Sequence, residues 1–218
     1  GVHQRLQLSS KGRGTDVLVM TATPIPRTLA LTAYGDMDVT RINGKPKGRK
    51  AIDTRLIPHD NLEDMVARLK SQIAAGVQVY WVCPLVEESE VLDLAAAEDR
   101  YQILQQIFGD KVGLVHGRMK PAEKDKVMER FSSGELSLLV ATTVIEVGVN
   151  VPNATIMVIE HAERFGLAQL HQLRGRVGRG DKQSYCFLVY AMNLTQTARE
   201  RLKILRDTED GFLIAEKD

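Results

Sequence analysis

Residues 169–180 read QLHQLRGRVGRG, and the segment 164–180 around them contains no acidic residue. This segment carries four arginines: Arg164, Arg174, Arg176 and Arg179. Gly175 and Gly178 directly precede the last two of them. Guanidinium groups donate hydrogen bonds in a planar fork that matches phosphate oxygens, and glycine lets the backbone approach a ligand closely. The pattern therefore predicts a phosphate-binding segment; the alternative is a solvated basic face that ends a helix, where arginine complements the helix dipole.

A second motif, VATTVIEVGVNVP, occupies residues 140–152. The motif follows the apolar run 138–140. Two hydroxyl side chains, Thr142 and Thr143, come just after it, and a Gly-x-Asn-x-Pro turn follows at 148–152. This is the pattern of a buried parallel strand that ends in a loop of donors and acceptors, at the edge where α/β sheets bind their ligands. The alternative is an ordinary exit from a strand into a turn, with threonine as a cap.

Together, the two motifs resemble motifs V and VI of superfamily 2 helicases, whose motor is a pair of RecA-like lobes. Residues 21–27, TATPIPR, look like motif III of these enzymes, the segment that couples ATP to nucleic acid. Three further stretches are similar to the RecG family of bacterial branch-migration helicases: YWVCPL at 80–85, GLVHGRM at 113–119 and RFGLAQ at 164–169. The resemblance covers essentially the whole chain.

The resemblance implies that this chain supplies one side of an ATP site. Arg176 and Arg179 would be the catalytic arginine fingers, whose charge stabilises the transferring phosphoryl group. They would also contact the nucleotide, together with Gln172, Gly148 and Asn150. Motif V of the family usually has aspartate at the last of these positions. Asparagine keeps one acceptor and adds donors but lacks the charge.

The resemblance also implies contacts with the nucleic-acid backbone. Hydroxyl and guanidinium groups that touch phosphates position a duplex without reading its bases. The residues in these roles would be His116, Gly117, Arg118, Thr142 and Thr143. Thr21 and Thr23 would couple the closure of the lobes to nucleic acid. For the histidine, the alternative is the end of a strand with a hydrogen bond to the backbone.

Two motifs that such a motor needs are not in the sequence. One is the P-loop, whose backbone amides and lysine hold phosphates; the other is the Asp-Glu pair that holds Mg²⁺. In the family, the Asp-Glu motif lies just before a segment like residues 1–5, GVHQR. We therefore expect the chain to begin just after that motif. We expect ATP and Mg²⁺ to act in the intact parent, and the isolated chain to bind neither and to be unable to hydrolyse ATP.

Strand-like and helix-like segments alternate from residue 51 onward. Strands are predicted at 52–57, 77–83, 112–115, 136–141, 155–160 and 185–190. Helical spacing predicts a first helix capped by Asp60 and ended by Gly76, and a second that ends at Gly109. A third helix begins at Pro121 and a last one covers about 195–206. Such alternation predicts a parallel sheet with helices on both faces.

By resemblance, this α/β fold is a RecA-like helicase lobe 2. Residues 1–50 are predicted to be the C-terminal remnant of lobe 1 with a linker, and residues 51–190 to be the whole of lobe 2. Residues 191–218 would begin the helical hairpin that couples lobe motion to translocation on duplex DNA. The apolar run 17–20 would be a strand of lobe 1, and we expect it to pack on lobe 2 or on another chain.

Composition limits the other possibilities. The net charge is +1, so a nucleic-acid surface must be local rather than global. No apolar run reaches the ~20 residues of a membrane helix. Cys83 and Cys186 lie in apolar runs, which favours buried, reduced thiols in the bacterial cytoplasm. The five histidines show no metal-ligand spacing, so the sequence predicts no metal site.

The leading interpretation is part of an ATP-dependent DNA helicase that remodels branched double-stranded DNA, such as stalled forks and recombination junctions. Its partners in the parent would be lobe 1 and a wedge domain, and the isolated chain would self-associate through the remnant of lobe 1. One alternative is the transcription-repair coupling translocase, which shares the segment 165–179. Residues 33–38 and 116–124 favour RecG. The other is a non-catalytic module that binds nucleic acid or protein.

Overall fold

The computed structural model describes residues 48–84, 90–142 and 151–217, together with residues 18, 20, 40 and 42. Within these ranges, six parallel strands form one sheet in the order β1-β6-β5-β2-β4-β3. The strands are β1 (Asp53–Pro58), β2 (Gln78–Cys83), β3 (Val112–Val115), β4 (Leu138–Thr142), β5 (Ala154–Ile159) and β6 (Tyr185–Tyr190). The parallel α/β sheet predicted from the sequence is therefore confirmed.

Six α-helices accompany the sheet in the described ranges. They are α1 (Leu62–Ala74), α2 (Glu90–Phe108), α3 (Pro121–Ser132), α4 (Leu167–Arg174), α5 (Gln196–Asp207) and α6 (Gly211–Lys217). Short 3₁₀ turns cover His59–Asn61, Gly109–Lys111 and Ala162–Arg164. None of the described helices combines the length and the apolar composition that a membrane span needs.

Strand β2 shows how the sheet is covered on both faces. All six of its residues are buried, and alternate side chains belong to different cores. Tyr80 and Val82 pack with helices α3 to α6 on one face. Trp81 packs with helices α1 and α2 on the other, and it is fully buried. A strand that is buried on both faces has an almost continuous apolar sequence, and this feature made the strands recognisable before the structure was known.

Several sequence predictions hold in detail. The apolar positions of the first helix are buried as a set: Leu62, Met65, Val66, Leu69 and Ile73. Pro121 occupies the first turn of α3, where its missing N–H costs nothing. Cys83 and Cys186 are both buried and unbridged, and burial raises the pKa of the second thiol to about 12.

Other boundaries were wrong. Asp60 does not cap the first helix: it lies in the 3₁₀ turn, and Asn61 holds the N-cap position without a side-chain hydrogen bond. Strand β4 begins at Leu138 rather than at residue 136 and extends through Thr142. In the case of the first helix, the 3₁₀ turn His59–Asn61 occupies the residues where the sequence pattern had placed the start of the helix. Thr195 precedes α5 as its N-cap, and its Oγ1 accepts a hydrogen bond from the amide of Ala198 at 3.2 Å.

Most of residues 1–47 lies outside the described residues, including Thr21 and Thr23 with the predicted motif III. Leu18 and Met20, two residues of the predicted strand 17–20, are 82% and 83% exposed. For these two side chains, the expected packing on the rest of the chain is therefore not seen. The predicted self-association through this segment stays a prediction.

Candidate functional site

The arginine-rich segment leaves helix α4 and runs along the amino ends of β1 and β6. Gly178 has φ +74°, a left-handed conformation that favours glycine. A Cβ added there would lie 2.9 Å from Cγ1 of Ile52 and 3.9 Å from Cβ of Ser184, the residues that precede these two strands. Both the backbone angle and the close packing require glycine. The loop that carries Arg179 is thus fixed against the sheet on its inner side.

The four arginines of this segment differ in burial. Arg174 is 1% exposed, Arg176 is half-buried, and Arg164 and Arg179 are exposed. Burial raises the pKa of Tyr80 to about 12, and the positive charges of Arg179 and Arg176 act against this rise. Both arginines therefore lie within electrostatic reach of the same hydroxyl group on β2. The two predicted arginine fingers lie three residues apart in the segment between α4 and β6.

Arg174 belongs to the fold rather than to an open site. Its Nη1 donates to the carbonyl of Leu205 and, at 3.4 Å, to Oγ1 of Thr54. Its Nη2 lies 3.0 Å from Nδ1 of His171, which accepts because a guanidinium only donates. Leu205 is in the last turn of α5, where carbonyls lack helical partners. Arg174 is thus a cation at a helix end, but it is buried and bonds the end of α5, so it is not the solvated face that the alternative interpretation described.

Helix α5 also supports the turn that precedes α4. Nη2 of Arg201 donates to the carbonyl of Phe165 at 2.6 Å and to that of Glu163 at 3.2 Å. No role for Arg201 was predictable from the sequence, because nothing in its spacing points to a partner 36 residues earlier. Two arginines thus join α5 to the segment that carries the predicted arginine fingers.

The predicted nucleic-acid residues collect at the opposite edge of the sheet. His116 follows β3 and Thr142 ends β4; since Val115 pairs with Ala141, the two residues are neighbours across the strands. Gly117 and Arg118 are exposed in the turn that follows. Oγ1 of Thr142 and Nδ1 of His116 are buried without a hydrogen-bond partner among the described residues. Buried polar atoms normally have partners, so these two have unused hydrogen-bonding capacity.

Not every predicted site residue can be placed. Thr143, Gly148 and Asn150 fall in residues 143–150, outside the described part of the chain. Gln172 is exposed on α4, in the turn that leads to the arginine loop. Thr142 is only 2% exposed, so a direct phosphate contact needs its hydroxyl to become accessible. Among the described residues, the hydroxyl has no hydrogen bond that such a contact would break.

A buried polar cluster that the sequence does not reveal lies at the carboxyl edge of the sheet. Glu160 accepts from Nε1 of Trp81 at 2.9 Å and from two nitrogens of Arg100, at 2.9 and 2.5 Å. Burial acts to raise the pKa of Glu160, but the hydrogen bonds and charge of the arginine outweigh it and hold the pKa below its ordinary value. The guanidinium also lies 5.6 Å from the centre of the Trp81 ring. The carboxylate is therefore ionised and fixed.

Known proteins similar to this chain are helicases. The profile of the helicase conserved C-terminal domain matches residues 60–181. The chain is 56% identical to an ATP-dependent DNA helicase RecG of Acidithiobacillus ferridurans and 54% identical to that of Bacillus subtilis. Both matches cover all of this chain and 32% of the relative. The chain thus spans about a third of the length of the curated relatives that it matches.

Solved structures agree with this assignment. A RecG bound to a three-way DNA junction matches with a TM-score of 0.79 and 48% identity, over 94% of this chain and 27% of that one. The Saccharomyces cerevisiae protein Dbp5 bound to RNA and ADP BeF3 matches with a TM-score of 0.59 over 83% of this chain and 45% of that one; its identity of 16% supports the fold alone. The profile match covers more than half of the chain, on a parallel sheet of the expected RecA-like type. This chain therefore belongs to the helicase conserved C-terminal domain family.

Proposed function

We propose that this chain is the second RecA-like lobe of a longer, ATP-dependent DNA helicase of the RecG type. The observation that carries the proposal is the identity of 54–56% to RecG proteins along the whole chain. The matched RecG structure is bound to a three-way DNA junction, so branched double-stranded DNA is the proposed substrate. The proposed division is 1–50 for the end of lobe 1, 51–190 for lobe 2, and 191–218 for the start of a helical hairpin.

In this proposal, ATP and Mg²⁺ are bound mainly by lobe 1. Arg176 and Arg179 reach the nucleotide from lobe 2, with Gln172 beside them and with Gly148 and Asn150 in motif V. The shared electrostatic reach of the two arginines to Tyr80 supports a joint role. Two guanidinium groups near a transferring phosphoryl group neutralise the charge that it develops.

The carboxyl ends of β3 and β4 are the proposed contact with the DNA backbone. The unused hydrogen-bonding capacity of His116 and Thr142 supports this assignment, as does the exposure of Arg118. Gly117 and Thr143 would contribute beside them, and Thr21 and Thr23 would couple this contact to ATP. The arginine loop and these residues lie at opposite edges of the sheet, so the lobe itself would connect the two activities.

The transcription-repair coupling translocase is not favoured, since the relatives named above with identities of 48–56% are RecG helicases. We place the protein in the bacterial cytoplasm, because these relatives are bacterial enzymes that act on DNA. For the chain by itself, the proposal is a binding module without ATPase activity, since the P-loop and the Asp-Glu motif are not among its residues.

ATP turnover on different DNA molecules tests the proposed function. In the longer protein, we expect faster phosphate release with a three-way junction than with a linear duplex of equal length. We expect no DNA-stimulated turnover from the 218-residue chain alone. Equal stimulation by linear and branched DNA would argue against a branched substrate, and turnover by the isolated chain would contradict the division of the ATP site between two lobes.

Replacing Arg118 by alanine is expected to weaken DNA binding by about three- to tenfold, because an exposed guanidinium makes a charge-assisted bond with phosphate. The slope of log affinity against log salt should fall by about 1. Fluorescence anisotropy with a labelled duplex at several salt concentrations measures both quantities. Lys70→Ala is the matched control, since it removes an exposed positive charge from α1. This helix packs on the face of the sheet opposite to α3, the helix that follows Arg118. Equal effects of the two substitutions would mean that the contact is non-specific.

A further inference from the structure

Two histidines and a glutamate meet at the carboxyl edge of the sheet, away from the arginine loop. His59 follows β1 directly, and Glu160 and His161 follow β5 directly. One ligand atom from each of the three residues can be chosen so that all lie within 4.8 Å of one another. The imidazole rings are stacked, with 5.8 Å between their centres and 24° between their planes. We propose that these three residues form a binding site for a divalent transition-metal ion of the zinc class.

His161 makes a contact through one ring nitrogen that leaves the other available as a metal ligand. Its Nδ1 lies 3.2 Å from Oε1 of Glu163, a contact that assigns the ring proton to Nδ1 and leaves Nε2 with a free electron pair. A carboxylate behind a histidine is the usual second layer of a metal site. The other oxygen of Glu163 accepts from the amide of Ala191 at 3.3 Å, which fixes the carboxylate in turn.

The backbone of His161 supports the same conclusion. Its φ of 49° is the only positive φ of a non-glycine residue in the described part of the chain. Left-handed conformations of such residues cost free energy and are concentrated at functional sites. Here the conformation turns the chain directly after β5, so that successive residues, Glu160 and His161, both contribute to one cluster.

Glu160 has one acceptor position to offer. Its Oε2 accepts from Trp81, from Nε of Arg100 and, at 4.0 Å, from the thiol of Cys83, whereas among the described residues Oε1 accepts a hydrogen bond only from Nη2 of Arg100. A carboxylate oxygen can accept two hydrogen bonds or ligands. Oε1 is also the oxygen that lies 4.0 Å from Nε2 of His59. The remaining electron pair of a fixed, ionised carboxylate is thus close to an imidazole nitrogen.

The donor set selects the kind of metal. Two imidazole nitrogens and one carboxylate oxygen suit Zn²⁺, whereas Mg²⁺ prefers oxygen ligands and bound water. Tetrahedral Zn²⁺ with bonds of about 2.0–2.2 Å places neighbouring donors roughly 3.3 Å apart. The side chains of His59 and His161 are 43% and 32% exposed, so small rotations can bring the donors to this distance. The exposed side leaves room for water as the fourth ligand.

Two neighbouring groups, Arg100 and Cys83, determine the expected metal affinity and the set of ligands. The positive charge of Arg100, 2.5 Å from Oε1, lowers the affinity for a cation below that of a closed structural zinc site. Cys83 has its sulfur 4.0 Å from Oε2 of Glu160, but burial and the adjacent carboxylate raise the pKa of its thiol. A protonated thiol is a poor ligand, so Cys83 is not part of the donor set.

Zn²⁺ titration of the chelator-treated chain, in competition with a chromogenic chelator, tests the proposal. We expect one Zn²⁺ per chain and a rise in Tm on binding. His59→Gln and His161→Asn should each lower the affinity at least tenfold; asparagine is chosen because it tolerates the left-handed conformation. Glu163→Gln should lower it by about 10–100-fold through the orientation of His161.

Three controls separate this site from other causes. His116→Gln and Cys83→Ser should leave Zn²⁺ binding unchanged, because neither residue is a proposed ligand. Arg176→Ala should also leave it unchanged, since the site does not depend on helicase activity. Binding that survives both His59→Gln and His161→Asn would overturn the proposal, as would its loss in Cys83→Ser. Weak binding without saturation in the unaltered chain would mean adventitious contact with surface histidines.

Discussion

Arg176→Ala in the longer protein is expected to lower DNA-stimulated ATP turnover by about 10³–10⁵-fold. Negative charge develops on the phosphoryl group during transfer, and an arginine delivered by the second lobe neutralises it only in the transition state. DNA binding should be retained, since the predicted DNA contacts lie at the other edge of the sheet. Phosphate release at saturating ATP, measured with a three-way junction, gives the rate; anisotropy gives the affinity.

Arg164→Ala is the matched control for this prediction. It removes an exposed arginine from the same basic segment, ten residues before Arg174, and should change turnover by less than about twofold. Arg176→Lys should restore only part of the rate, because an ammonium group lacks the planar fork of guanidinium. Unchanged turnover in Arg176→Ala would mean that the half-buried side chain serves the fold, and the role of arginine finger would then rest on Arg179 alone.

The sheet was predictable because its strands are buried on both faces. Stretches such as 78–83 and 154–159 are almost wholly apolar and are separated by segments of helical spacing, so their type and their positions along the chain followed from the pattern, but their order in the sheet did not. The ends of elements were less certain. Asp60 is a good capping residue by type, yet the chain makes a 3₁₀ turn there and starts the helix two residues later. The residue type indicates which side chains can cap a helix, but the packing of the whole chain determines at which residue the helix begins.

The polar cluster at Glu160 could not be predicted, because it depends on strand order. His59 and His161 are 102 residues apart, and they meet only because β6 alone separates β1 from β5 in the sheet. The spacing of histidines along the sequence carries no trace of this arrangement. For the same reason, the sequence pattern around Arg174 could not show that this arginine bonds the carboxyl end of α5, 31 residues later in the chain.

Arg174→Ala is expected to destabilise the chain by about 3 kcal/mol. The substitution leaves the carbonyl of Leu205 without its guanidinium donor at the end of α5 and removes one partner each of Thr54 and His171. Burial lowers the pKa of Arg174, and no carboxylate of the described residues lies within ion-pair distance of it. Its contribution therefore comes from hydrogen bonds and from the dipole of α5 rather than from a salt bridge. Urea unfolding with an unchanged slope measures the loss.

Arg174→Met and Arg199→Ala separate the possible causes of this loss. Methionine restores much of the buried volume but cannot donate to Leu205, so its cost should be intermediate. Arg199 is exposed on α5, and its replacement should change the free energy of unfolding by less than about 0.5 kcal/mol. If Arg174→Ala is as stable as Arg199→Ala, the capping of α5 is not a source of stability. If only Arg174→Ala is unstable, the buried guanidinium of Arg174 holds α4, β1 and α5 together through its hydrogen bonds.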